Sequence, residues 1–196
     1  MTQSTYRERS SHMTGTSTLM TAGELPGYNI PGKRIELVQG RLLVHEPAGF
    51  EHGQVMLRIG AALAQFAHAS TPPLGAVVVG DSGFWLQQNP DTVRAPDVAF
   101  VHRDRLPDGP IRGFAEFAPD LVVEIRSPSD RTGELLAKAG DWLSGGTALV
   151  WIVDPVRQTA QVYRPDGSVS LHGVADALDG EAVLPGFSLP MTSIVG

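Results

Sequence analysis

The run Leu121–Ile125 most constrains the fold, because all of its residues are apolar except for one acid, Glu124. A run of this length and composition is typical of a strand that is buried on both faces of a sheet. A helical pattern follows to about Leu143, where Gly145-Gly146 ends it, and residues 149–153 form a second apolar run. This order of strand, helix and strand indicates an α/β fold.

The remaining elements are short and separated by turn residues. Two alternating runs, residues 35–38 and 41–44, flank Gln39-Gly40 and predict a hairpin. Apolar residues recur at three- and four-residue spacing over residues 51–69, which predicts an amphipathic helix that ends before Thr71-Pro72-Pro73. Further strands are predicted at residues 76–79, 84–87 and 98–102, and a second hairpin at residues 160–164 and 169–171.

The order of these elements predicts an α/β fold with a mixed central sheet flanked by helices and with additional β-hairpins. Ser129 and Asp130 are the predicted caps of the second helix. With 196 residues, 42% hydrophobic and 18% charged, the chain is expected to form one globular domain over residues 19–196. Residues 1–18 are expected to form a flexible tail, in which Ser11-His12-Met13 resembles part of an expression-vector scar.

Composition excludes several classes of protein. The chain has no cysteine, which excludes disulfide scaffolds, thiolate zinc sites and cysteine nucleophiles and is typical of the cytoplasm. No apolar run approaches the ~18 residues that cross a bilayer, and the first twenty residues lack the apolar stretch of a secretory signal. We therefore expect a cytoplasmic protein that is not in the membrane. The net charge of −6 argues against indiscriminate coating of nucleic acid, but it leaves room for a nuclease with a local acidic cluster.

Two acids are the candidates for chemistry. Asp97 follows Pro96 at the start of one predicted strand, and Glu124 lies within another. Paired strands lie ~4.8 Å apart, so carboxylates on the same face of neighbouring strands can share a hard cation such as Mg²⁺. Asp120 and Glu124 lie along one strand, ~13 Å apart, and cannot chelate one ion; Asp120 is expected to be a turn or strand-entry residue. Taken alone, Asp97 is more often a turn residue that follows a proline, and Glu124 more often a salt-bridged strand residue.

These residues belong to a longer pattern. Pro96-Asp97 followed by Glu124-Ile125-Arg126 resembles the PD-(D/E)XK nuclease superfamily, which has the restriction-endonuclease-like fold. Other segments are similar to the Uma-type restriction endonucleases of that superfamily. They are residues 36–40, Glu51-His52, residues 119–125 and 127–129, Lys138, Trp142, Gly146, and residues 151–155 and 184–186. The resemblance extends from about Leu19 to the C-terminus.

The resemblance implies a Mg²⁺-dependent endonuclease that hydrolyses DNA phosphodiester bonds, with Mn²⁺ as a substitute for Mg²⁺. Asp97, Glu124 and a backbone carbonyl near Ile125 would hold the metal. Glu36 would complete the coordination shell, directly or through water. His52, at the start of the first predicted helix, is expected to face the site.

One departure from the superfamily pattern concerns its lysine, since Arg126 stands two residues after the second acid. The pKa of arginine stays above ~12, so Arg126 can clamp phosphate but cannot deprotonate water. The Uma-type pattern has its lysine on the following helix, and Lys138 occupies that place, so we assign the water-orienting role to Lys138. On its own, Lys138 would be read as a solvated helix residue and Glu36 as an exposed hairpin residue.

Other functions remain open at this point. A nuclease fold that binds nucleic acid or a protein partner without cleaving is the main alternative, and Arg126 and the acidic net charge favour it. A metal-binding domain that acts on another phosphoester would use the same carboxylates. For an endonuclease we expect a homodimer, because two related sites most simply cut both strands of a duplex.

Overall fold

The computed structural model describes residues 19–196, so the predicted tail and Ser11-His12-Met13 lie outside the described residues. Short 3₁₀ helices occur at Leu25–Gly27 and Arg103–Arg105. The strands and α-helices are β1 (Arg34–Val38), β2 (Arg41–His45), α1 (Phe50–His68), β3 (Gly75–Val79), β4 (Phe84–Gln87), β5 (Thr92–Arg94), β6 (Val98–His102), β7 (Leu121–Ile125), α2 (Thr132–Ser144), β8 (Leu149–Asp154), β9 (Thr159–Tyr163), β10 (Val169–His172), β11 (Ala177–Asp179), β12 (Ser188–Pro190) and α3 (Met191–Val195).

The central sheet has six strands in the order β10-β9-β8-β7-β6-β3. Only the β7–β8 pair is parallel, and the other pairs are antiparallel. Two parallel neighbours need a crossover connection, and α2 provides it between β7 and β8. The predicted mixed α/β architecture is therefore confirmed.

Strand β7 is buried on both faces, as its composition predicts. Its alternate residues Leu121, Val123 and Ile125 belong to the core that contains α1, where Ile59 and Leu63 have no exposed surface. Val122 belongs to the other core, with Trp142 and the rest of the apolar face of α2. Because side chains alternate along a strand, Glu124 is on the same side of the sheet as α2.

A second sheet of four strands, in the order β2-β1-β5-β4, lies next to the central one. Its β1–β2 hairpin is the predicted one, and Gln39 and Gly40 have φ of 51° and 70°, the left-handed conformation that a two-residue turn of this kind requires. Strand β5 was not predicted from the sequence. It pairs with both β1 and β4 and so holds Arg94 beside Glu36.

The start of α2 differs from the prediction. We predicted Ser129 and Asp130 as its caps, but the helix begins at Thr132, and the preceding Arg131 makes no side-chain cap. The carboxylate of Asp130 instead accepts a hydrogen bond from the backbone N–H of Ser127 at 2.8 Å and closes a turn before the helix. The predicted end is correct, since Gly145 caps the helix.

None of the helices within residues 19–196 has the length and apolar character that a membrane span requires.

Candidate active site

Asp97 and Glu124 are neighbours across the central sheet. In the antiparallel β6–β7 pair Val98 is opposite Val123; Asp97 immediately precedes Val98, and Glu124 follows Val123 on β7. One carboxylate oxygen of Asp97 accepts a hydrogen bond from the backbone N–H of Ile125 at 2.7 Å. Each acid is only 3% exposed. The fold therefore brings together the two carboxylates predicted from the sequence.

Lys138 reaches this pair from α2. Its Nζ lies 2.9 Å from a carboxylate oxygen of Glu124 and 3.0 Å from one of Glu36, and it donates to the backbone carbonyl of Ala95 at 2.9 Å. The side chain is buried for most of its length. The ammonium group thus bridges an acid of the central sheet and an acid of the second sheet.

Glu36 is surrounded by donors. It accepts hydrogen bonds from Arg94 at 2.7 Å and from the backbone N–H of Ala95 at 2.9 Å, and His45 Nε2 lies 3.1 Å from it. Arg94 is itself 5% exposed and donates to Asp141 on α2. Glu36 therefore links the second sheet to α2 through two cations.

His52 lies in the first turn of α1 and faces Asp97. Its Nε2 is 3.1 Å from the same Asp97 oxygen that accepts from Ile125, and the ring is 6% exposed. Arg34, on β1, donates to the other oxygen of Asp97 at 3.2 Å. Asp97 consequently has partners on α1, β1 and β7.

Arg126 lies apart from the cluster. Its guanidinium donates to the hydroxyl of Thr132 at 3.0 Å and lies 3.8 Å from the carboxylate of Asp154 at the end of β8. It makes no hydrogen bond or ion pair with Asp97 or Glu124 among the contacts of the described residues. The residue at the superfamily's lysine position is thus directed to the start of α2.

The acids of the cluster differ in how far neighbouring cations offset the effect of burial on their pKa values. Burial raises the pKa of Glu124 to about 7, with Asp97 and Glu36 adding to the effect and Lys138 opposing it. Burial also opposes ionisation of Glu36, but Lys138, His45 and Arg94 hold its pKa well below the ordinary value. Despite its burial, Lys138 has a raised pKa because Glu124, Glu36 and Asp97 surround it, so it stays an ammonium ion.

Burial opposes the ionisation of Asp97, but its contacts with His52, Lys138 and the N–H of Ile125 lower its pKa. Asp97 is therefore ionised at neutral pH.

Within residues 19–196, no group of three or more histidine, cysteine, aspartate or glutamate side chains is arranged to hold a metal ion. Asp97 and Glu124 nevertheless offer two hard oxygen donors. Mg²⁺ is commonly held by one or two carboxylates, with water and substrate phosphate completing its shell. Lys138 only partly offsets the burial of Glu124, and a bound cation would lower the raised pKa of this carboxylate. The donor set therefore fits Mg²⁺.

Trp142 also belongs to the site, through a hydrogen bond to Glu124 that was not predicted from the sequence. It is fully buried and packs edge-to-face on Phe84 at 6.0 Å between ring centroids. Its indole N–H, however, donates to the second carboxylate oxygen of Glu124 at 2.7 Å. The sequence signals for this residue are its place in the family pattern and its position four residues after Lys138 on the buried face of α2. Trp142 and Lys138 together fix both oxygens of Glu124.

Replacing Trp142 with phenylalanine is expected to destabilise the protein by about 1–3 kcal/mol, since it leaves a buried carboxylate oxygen without its donor. Urea unfolding monitored by circular dichroism measures this change. Trp85→Phe is the matched control, because the indole N–H of Trp85 donates to the backbone carbonyl of Gln87 in an exposed position. Equal unfolding midpoints for the two variants would contradict a specific role for the Trp142 hydrogen bond.

Comparisons with known proteins bear on the fold and the family of this chain. A crystal structure described as a "putative nuclease belonging to DUF820" from Anabaena variabilis superposes with a TM-score of 0.78 at 19% sequence identity, over 90% of this chain and 97% of that one. At this identity the likeness shows the fold, which is the one predicted. No curated protein matches the chain in sequence. The model of the Uma2 family, described as "Putative restriction endonuclease", matches residues 24–192, and the chain therefore belongs to that family.

Proposed function

We propose that this protein is a Mg²⁺-dependent endonuclease that hydrolyses DNA phosphodiester bonds. The observation that carries the proposal is the buried pair of Asp97 and Glu124 with the ammonium of Lys138 at 2.9 Å from Glu124. Lys138 is shared by two acids, Glu36 and Glu124, and burial raises the pKa of Glu124 to about 7, a perturbation of the kind that clusters at functional sites. Membership of a family described as restriction endonucleases supports DNA as the substrate.

The residues proposed to hold the metal are Asp97 and Glu124, with the backbone carbonyl of Ile125 as a further ligand. Bound Mg²⁺ supplies charge that activates a water molecule and neutralises the scissile phosphate. Each oxygen of Glu36 already has two partners, Lys138 and the N–H of Ala95 on one and Arg94 and His45 on the other. Each oxygen of Glu124 has one partner and keeps a lone pair for a metal. Glu36 therefore positions Lys138 and joins the coordination shell only through water.

Lys138 acts as a charged donor in this scheme. Because its pKa is raised, its ammonium cannot take a proton from water, but it can donate to the oxygen of the attacking water or to a phosphate oxygen. The water oxygen forms a bond to phosphorus and its proton passes to solvent, while the bond from phosphorus to one ester oxygen breaks and that oxygen leaves with a proton from solvent. His52 and Arg34 hold the carboxylate of Asp97 in place from either side during this step.

The direct test is nicking of supercoiled plasmid at low salt with Mg²⁺, Mn²⁺ or EDTA. Cutting that requires the metal supports the proposal, and calorimetric Mn²⁺ binding that is lost in Asp97→Asn supports the ligand assignment. Salt-sensitive DNA binding without cutting, unchanged by EDTA, would contradict the proposal and favour a nuclease fold that only binds nucleic acid. Metal binding without cutting would favour another phosphoester as substrate.

Arg126→Ala is expected to lower the cutting rate by less than about tenfold, since its guanidinium faces Thr132 and Asp154 rather than the carboxylate pair. The rate of plasmid nicking measures the effect, and Arg126→Lys serves as the conservative variant. A loss as large as that of an acid variant would show that Arg126 acts on the substrate, as the superfamily pattern implies for its lysine.

The proposal includes a homodimer, because cutting both strands of a duplex is simplest with two related sites. Sedimentation velocity of the full chain, alone and with a short duplex, tests this part. A particle that stays a monomer in both conditions while linearising plasmid would contradict it.

A further inference from the structure

A large cavity lies beside the candidate active site. Its volume is about 730 Å³, and its walls come from the second sheet, from β3 and β6 at one edge of the central sheet, and from the segment that follows β6. A volume of this size is within the range of roughly 300–1,000 Å³ that is typical of small-molecule sites. The proposed hydrolysis at Asp97 and Glu124 does not by itself require it.

The walls of the cavity are mostly apolar and aromatic. Phe84, Phe114 and Phe117 line it from the inside. Two residues at its edge remain open to solvent, since Tyr28 is 50% exposed and Ile111 is 43% exposed. An exposed tyrosine ring beside an apolar cavity offers a face on which a flat aromatic ligand can stack.

One guanidinium on the wall of the cavity is only partly paired. Lys33, Arg34 and Arg94 line the cavity together with one acid, Asp81, but Lys33 and Arg94 already pair with carboxylates elsewhere. The remaining cation is Arg34, whose Nε lies 4.0 Å from Asp81. Arg34 is shared with the active site, because its Nη1 donates to Asp97 at 3.2 Å. Its Nε is buried and has no hydrogen-bond partner among the described residues. One wall of the cavity is thus a side chain that touches a proposed metal ligand.

From these observations we infer that the cavity takes an unpaired nucleobase of the substrate strand, from the nucleotide adjacent to the scissile phosphate. The inference rests on the proposed nuclease function for the position of that phosphate. A base is flat and apolar on its faces and carries its anionic phosphate beside it, which matches aromatic walls with a cationic side. A base reaches such a cavity from a single strand or after leaving the stack of a duplex.

The shared Arg34 is the reason to favour a nucleotide of the substrate over a separate small molecule. A ligand independent of the reaction has no need of a cation that also holds Asp97. A nucleotide next to the cleaved bond places its phosphate at the carboxylate cluster and its base in the adjoining space. The cavity would then select substrates in which a nucleotide is unpaired.

The test is the anisotropy of a labelled oligothymidylate and of an abasic oligomer of the same length, both in EDTA so that neither is cut. The two carry the same backbone charge and differ only in their bases. We expect the wild-type protein to bind the oligothymidylate more tightly by at least about fivefold, the lower end of what stacking of one base contributes. Tyr28→Ala should remove most of this preference, while Tyr28→Phe keeps it.

Leu171→Ala is the matched control, because Leu171 is an exposed apolar residue on β10, at the opposite edge of the central sheet. It should bind both oligomers as the wild type does. A second arm compares a fully paired duplex with the same duplex carrying one unpaired thymidine. Tighter binding of the second duplex supports a base that leaves the stack, and equal binding together with a strong preference for the single strand supports a single-stranded substrate.

Equal affinity for the oligothymidylate and the abasic oligomer would overturn the inference, as would an unchanged preference in Tyr28→Ala. Plasmid nicking separates this failure from that of the proposed function. Metal-dependent cutting without any base preference keeps the nuclease and removes the base-binding cavity. A base preference that depends on Tyr28, without cutting in any metal, keeps the cavity and contradicts the nuclease.

Discussion

Replacing Asp97 with asparagine is expected to lower Mg²⁺-dependent plasmid nicking by roughly a thousandfold. Loss of a metal ligand removes several kcal/mol of transition-state stabilisation, and about 1.4 kcal/mol of activation free energy corresponds to a factor of ten in rate. Asparagine keeps the size of the side chain and can still accept from the N–H of Ile125. The change therefore removes charge rather than packing, and initial rates of nicking measure it.

Asp166→Asn is the control for this variant, because Asp166 is an exposed residue in the turn between β9 and β10. It should cut at the wild-type rate. Thermal unfolding of both variants checks that the fold is retained. A rate for Asp97→Asn within tenfold of the wild type, in a folded protein, would show that Asp97 is not a metal ligand.

The sequence predicted the central part of this site because the relevant signals are local. The apolar run of β7 contains one acid, and Pro96-Asp97 precedes another strand. Hydrophobic patterning is sufficient to identify the strands β6 and β7 and the helices α1 and α2. Their pairing then brings Asp97 and Glu124 together without any further information. The role of Lys138 was assigned from the family resemblance, since nothing in the hydrophobic pattern of α2 distinguishes this residue from a solvated lysine.

The support around the acids could not be predicted, because it depends on contacts between residues distant in the chain. Arg94 lies in a strand of only three residues next to Asn89-Pro90-Asp91, which indicates a turn rather than a strand. Its partners Glu36 and Asp141 are 58 and 47 residues away. No local propensity encodes such a pairing.

Trp142 illustrates a different limit of sequence reasoning. An aromatic residue on the apolar face of a helix packs into the core in most proteins, and Trp142 does so here. Its second role depends on the direction of the indole N–H toward Glu124, which is set by the side-chain conformation. The cavity beside the site is likewise a property of how two sheets pack, and no single segment specifies it.

Replacing Lys138 with methionine is expected to have the largest effect on stability, about 3–5 kcal/mol, because it leaves buried acids without their shared cation. Urea unfolding at neutral pH measures the loss. Lys33→Met is the matched control, since Lys33 pairs with the exposed Glu46 and should change stability by less than about 1 kcal/mol. Plasmid nicking should also be lost in Lys138→Met.

A double variant tests whether the stability lost with Lys138 comes from its ion pair with Glu124. In the double variant Lys138→Met with Glu124→Gln, the acid that depends most on the ammonium is neutral, while Glu36 keeps Arg94 and the N–H of Ala95. Most of the lost stability should therefore return, as expected for two residues that interact directly. Cutting should not return, because the proposed mechanism needs both side chains. Recovery of stability without activity agrees with the proposal, in which Glu124 is a metal ligand, whereas recovery of both would show that the reaction needs neither the ammonium of Lys138 nor the charge of Glu124.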